Sequence, residues 1–163
     1  MIDKEKILNE IEKTKEHLAN MGKMLEECEY ERWKPEDHEK FWYIDSSGSV
    51  NYSLFMSETE SRFKNYNCFQ TCEQAEVEAE KILVRRMLED IARRLNKGEE
   101  INYKDNTQCK YYLTYSIVQD KIESDCNYNR IGIGAVYCLN MNFLNAAIQE
   151  IGQERLKNYL RGE

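Results

Sequence analysis

Histidine and proline are scarce in this chain, and long apolar runs are missing. Two histidines, His17 and His38, are all that 163 residues provide, so a serine-type triad or a histidine-rich metal site has almost no material. That excludes many enzyme classes. The single proline, Pro35, marks one break, because it pushes Lys34 out of helical geometry. No apolar stretch approaches the roughly 20 residues of a membrane span, and the start Met1-Ile2-Asp3-Lys4 has no apolar signal segment. A soluble, cytoplasmic protein is expected. The six cysteines form no CxxC pair, which fits reduced thiols, with disulfides as the alternative.

What is abundant is acid and tyrosine. The net charge is -7, and its excess is heaviest in residues 1–39. An acidic chain is a poor fit to sequence-independent DNA binding, which depends on neutralising phosphates, and suits presentation of acidic surface to a basic partner. Eleven tyrosines are many for this length. Eight of them, including Tyr43, Tyr112, Tyr115 and Tyr137, fall in or directly beside the strand-like runs. Such a sheet face either stacks bases or grips another protein, or its rings pair across strands with no ligand.

The pattern is that of an α+β protein. Residues 3–31 read as a helix in which Ile7, Ile11, Thr14, Leu18, Met21, Leu25 and Cys28 alternate spacings of four and three, the heptad seam of a coiled coil. Ile7, Ile11, Leu18, Met21 and Leu25 are therefore candidates for homo-oligomerisation, unless the seam folds back on its own body. Residues 31–39 form a linker in which Trp33 is either a binding anchor or a cover for the sheet that follows.

Two strand-rich units come next. The runs 41–45 and 50–56 flank Ser46-Ser47-Gly48-Ser49 as a hairpin, 57–65 reads as loop, and 66–70 reads as a strand leading into a long helix. Thr71 and Gln74 make a capping box at its start, and Gly98 takes the left-handed turn at its end. In the second unit, 111–118 and 122–127 form a hairpin through Gln119-Asp120-Lys121, 135–139 reads as a strand, and Asn140 caps a helix running to about Leu160. Phe69, Thr71, Ala75, Ala79 and Ile82 recur at matching offsets as Cys138, Asn140, Leu144, Ile148 and Ile151, the mark of an internal repeat. The domains expected are 1–32, 33–98 and 99–163.

Candidate chemistry is thin. Cys72 stands at a helix start, where thiol pKa values fall, so Cys68 and Cys72 are candidates for a nucleophile or metal pair against ordinary buried cysteines. Ile131-Gly132-Ile133-Gly134 lacks the third glycine of a dinucleotide fingerprint and precedes a strand. Asp120, Glu123 and Asp125 are either a divalent-ion site or the solvated face of a strand. Arg85, Arg86, Arg93 and Arg94 either form an anion site or pair with nearby acids such as Glu89 and Asp90 along the helix. No cofactor is indicated.

Trp33-Lys34-Pro35, then Phe41-Trp42-Tyr43-Ile44 with Gly48 and Val50, then Asn67-Cys68-Phe69-Gln70-Thr71 with Glu73, Ala75 and Glu76, resemble a pattern in small accessory proteins of phages and prophages of Gram-positive bacteria. The resemblance covers roughly residues 33–85. It implies a setting in which small acidic proteins disarm host defence, and it carries no functional residue with it. Three functions follow as expectations. The first is a non-enzymatic counter-defence protein that binds and blocks a host defence protein in the manner of an anti-CRISPR. The second is an oligomeric sponge for a nucleotide signal, using tyrosines for the base and the four arginines for phosphate. The third is a cysteine-dependent enzyme.

Overall fold

The computed structural model describes residues 12–15, 18, 32–128, 132 and 134–162. The chain divides into two units, residues 1–34 and 35–163. In the first, residues 12–15 and Leu18 are helical and Leu18 is exposed. Ile7, Ile11, Met21 and Leu25 lie outside the described residues. Trp33 belongs to this unit and is half-buried.

The second unit begins with β1 (Lys40–Ile44) and β2 (Val50–Leu54), which pair antiparallel with Trp42 opposite Tyr52. Asp45 sets the turn, its Oδ1 accepting from the amides of Ser47 and Ser49, and Gly48 supplies the positive φ of 90° that the turn needs. Phe41 is fully buried, with Phe55 edge-on to it. The segment after β2 was expected to be loop. It instead forms a 3-10 turn at Ser57–Thr59, where Thr59 Oγ1 accepts from the amide of Met56, and a short helix α1 (Glu60–Lys64).

The strand expected over 66–70 shrinks to a single bridge, Trp42 with Phe69. The Asn67 side chain extends it by copying a strand: Oδ1 accepts from the Ile44 amide at 2.8 Å while Nδ2 donates to the Ile44 carbonyl at 2.6 Å. The motif Asn67-x-Phe69-x-Thr71 thereby acquires a structural account. Asn67 clamps β1, Phe69 bridges it, and Thr71 caps the next helix.

That helix, α2 (Cys72–Asn96), starts with the expected capping box: the Gln74 amide donates to Thr71 Oγ1 at 3.2 Å, and Gln74 Oε1 accepts from the Thr71 amide. Its left-handed cap comes one residue before the expected glycine, since Lys97 itself takes that conformation at φ 51°, followed by Gly98 at φ 88°. Its first half packs on the first hairpin. Its second half lies in the main core, where Val84, Leu88, Ile91 and Ala92 meet Leu113, Ile122, Cys138, Phe143, Ala147, Ile151 and Leu156. One helix therefore serves both hairpins.

The second hairpin pairs β3 (Lys110–Ser116) with β4 (Lys121–Asn127). Here too a single bridge, Tyr111 with Cys138, replaces a strand. Trp42 and Phe69 are separated by the same number of residues as Tyr111 and Cys138, so the bridges fall at equivalent places beside the two hairpins. The helical halves do not match as well. Asn140 does not cap a helix directly: its Oδ1 accepts from the Asn142 amide, and α3 (Phe143–Ile151) starts after Asn142. Gly152, at φ 92°, then breaks the expected single helix, and α4 (Gln153–Arg161) follows.

Two polar devices hold this half together. Lys110, 1% exposed, donates to the carbonyls of Asp105, Gln108 and Tyr128. Arg155 of α4 pairs with Glu80 of α2. Cys109 and Cys126 are joined as a disulfide with Cα atoms 6.0 Å apart, the alternative to reduced thiols, whereas Cys68, Cys72 and Cys138 are free. The hairpin register brings Cys109 and Cys126 together, and spacing in the sequence gave no sign of it. No described helix is long and apolar enough to cross a membrane.

Candidate functional site

The four arginines of α2 do not converge. Helical spacing places Arg85 and Arg93 along one side, and both line a cleft of about 570 Å³ with Asn96, Tyr103, Val136 and Tyr137. Tyr137 is edge-on to Tyr103 and tilted against Tyr112, with centroids 6.3 and 5.5 Å apart. Asn96 fixes the far wall, its Oδ1 accepting from the Leu139 amide at 2.8 Å. Arg86 instead faces the gap between α2 and the first hairpin, beside Gly48 and Val50. Arg94 pairs with Asp90 and with Glu150 of α3.

The electrostatics of the cleft are mixed. Arg85 binds Glu89, and Arg93 binds Asp90, each within about one helical turn, the i,i+3 and i,i+4 pairing that stabilises a solvated helix face. Glu89, Glu99 and Glu100 share the lining. A phosphate entering here meets three carboxylates as well as two arginines that already hold acids.

The other expected residues are scattered. Tyr43 lies under the Arg62 guanidinium, 3.5 Å from its ring centroid. Tyr112 donates to Asp125 at 3.0 Å, which holds its phenol above the ordinary tyrosine range. Tyr115 belongs to a different place, the tip of the second hairpin.

That tip is the most exposed apolar feature of the described residues. Ile117 is 86% and Val118 97% exposed. The turn that carries them is tied down by polar contacts. Asp120, at φ 48°, accepts from Tyr115 Oη at 2.5 Å and Arg161 Nη2 at 2.9 Å on one oxygen, and from Lys157 Nζ at 3.0 Å on the other. Arg161 also donates to the Tyr115 hydroxyl. The tyrosine hydroxyl and then Lys157 hold the Asp120 carboxyl below its usual range, and Asp120 raises Lys157 in return. Two apolar side chains thus stand on a turn bolted to α4.

The sequence reading missed Ile117, Val118, Lys157 and Arg161. The readable signal was an apolar dipeptide placed directly before the turn residues Gln119-Asp120. The reading of Asp120, Glu123 and Asp125 as an ion site gains nothing: Asp120 is bound by two cations and a tyrosine, and no described cluster of His, Cys, Asp and Glu is suited to a metal. Cys72 donates to Glu76 at 3.5 Å, and desolvation followed by that carboxylate pushes its thiol up, opposite to what a thiolate nucleophile needs. Cys68 is buried. Compared with protein-family models, curated proteins and solved structures, the chain gives no match.

Proposed function

We propose that the protein is a non-enzymatic phage counter-defence factor that binds and blocks a protein component of host defence in the bacterial cytoplasm. The observation that carries this reading is the hairpin tip, where Ile117 and Val118 are presented on a turn fixed by Asp120, Lys157 and Arg161. Apolar side chains presented without loss of loop freedom favour association, since less ordering entropy opposes binding. The acidic balance and the resemblance over residues 33–85 supply the setting.

Phage challenge of bacteria carrying a panel of defence systems tests it. Expression of the chain restores phage growth against at least one system, and the double substitution Ile117→Asp with Val118→Asp abolishes the effect at equal protein level. Absence of protection across the panel, with expression verified, would remove the proposal.

A second reading, a sponge for a nucleotide signal, draws on the cleft in which Arg85, Arg93, Tyr103 and Tyr137 meet. It stands second because Glu89, Glu99 and Glu100 share that lining. Native mass spectrometry of protein purified from phage-challenged cells decides it. A nucleotide mass lost on Arg93→Ala supports the sponge, and a ligand-free spectrum removes it.

A further inference from the structure

The two hairpins share a layout but treat their outer edges differently. β4 carries Lys121, Glu123 and Asp125, and charge on an edge strand hinders pairing with another chain. β2 reads Val50-Asn51-Tyr52-Ser53-Leu54, with no charge and no proline, and its pairing with β1 is regular over all five residues. The backbone bonds from Asp45 to Ser49 and from Phe55 to Glu39 place the odd-numbered residues of this strand toward β1. By alternation, the amides and carbonyls of Val50, Tyr52 and Leu54 face outward. No strand among the described residues pairs with that side. Among the described residues, the Leu54 carbonyl accepts from the hydroxyls of Thr59 at 3.4 Å and Ser53 at 3.5 Å.

The side chains along this edge are suited to contact. Tyr52 is 63% and Leu54 47% exposed. The Tyr52 ring is already ordered, 5.5 Å from the Trp42 ring, with the Lys40 ammonium 4.2 Å from its centroid. An outward row of backbone donors and acceptors selects a β-strand as occupant. The pattern of the strand selects which one. About Tyr52 it is palindromic: apolar Val50 and Leu54 flank it at two residues, and small polar Asn51 and Ser53 at one.

We infer that β2 is a pairing edge through which two copies of this chain join into one antiparallel sheet, in the order β1, β2, β2, β1, with the two-fold axis at Tyr52. In that register Val50 meets Leu54 of the second copy and Tyr52 meets its equivalent, the cross-strand contacts that stabilise sheets. Two chains of net charge -7 meet there without opposing like charges within the paired strands. Self-complementarity of one patch is what a two-fold interface requires.

Native mass spectrometry and light scattering of the full chain over a dilution series test this, with circular dichroism to verify folding. Tyr52→Lys halves the mass of the assembly, and Leu54→Lys does the same should Tyr52→Lys fail to fold. Tyr52→Cys yields a covalent dimer on mild oxidation that the parent chain does not form. A parent chain that is monomeric at every concentration overturns the inference, as does an assembly whose mass the lysine substitutions leave unchanged. Halving without cross-linking at Tyr52 overturns the two-fold register.

Discussion

Asn67 offers the sharpest test of how the first hairpin is held, because one side chain there replaces a stretch of β-ladder. Asn67→Ala removes both bonds to Ile44 and leaves a half-buried amide and carbonyl with reduced satisfaction. With each bond contributing about 0.5–1.5 kcal/mol net, the loss is about 1–3 kcal/mol. For a chain of this size that lowers Tm by roughly 2–12 °C, at about 2–4 °C per kcal/mol. Asn67→Asp adds a sign. The introduced carboxyl still accepts from the Ile44 amide, but when ionised its second oxygen faces the Ile44 carbonyl, whereas the protonated form donates to it. Its folded pKa is therefore raised above the unfolded value of about 3.9. Stability is fully present below that unfolded value and is lost as pH rises through the folded one. Urea unfolding followed by circular dichroism, at neutral pH and near pH 4, shows Asn67→Asp approaching the parent at the lower pH, while Asn67→Ala keeps a constant deficit. A loss under about 0.5 kcal/mol for Asn67→Ala, or an Asn67→Asp deficit that ignores pH, refutes the clamp.

Other expectations follow from the same geometry. Asp120 titrates below the ordinary aspartate range because Tyr115 and Lys157 favour its ionised form. Its contribution is present above the unfolded pKa and lost as pH falls through the depressed one, so side-chain NMR titration finds a low value that Lys157→Met raises. Lys110→Met keeps the aliphatic stem but leaves three carbonyls without their donor, which costs about 1–3 kcal/mol in urea unfolding. A neutral result would mean that the surrounding loop relaxes. Phe41→Ala, at a fully buried site, costs about 3–5 kcal/mol. Ile117→Asp with Val118→Asp leaves Tm unchanged, since those side chains touch solvent, and any large drop in Tm contradicts their exposure.

The sequence by itself determined the elements whose causes are local. The capping box of Thr71 and Gln74, the two hairpins and the α+β class all follow from neighbours within a few residues, and they are present in the structure. Where an outcome depended on distant partners, local reading went astray. Residues 66–70 and 135–139 carry strand-like residues, yet each contributes only one bridge, because the residues around Phe69 and Cys138 turn into helix caps and loops before a ladder can extend. Gly152 lies in an apolar pattern that continues through it, yet it takes φ 92° and the helix breaks there, with Leu156 buried in the core beyond it. The sites divide in the same way. Arg85, Arg86, Arg93 and Arg94 are neighbours in sequence, but a helix turns about 100° per residue and distributes them over different surroundings. Ile117 and Val118 look like the end of a strand until Asp120 is seen held by Lys157 and Arg161 from the far end of the chain. Local hydrogen bonding is written in short stretches of sequence, whereas burial and charge pairing are set by what the rest of the chain brings alongside.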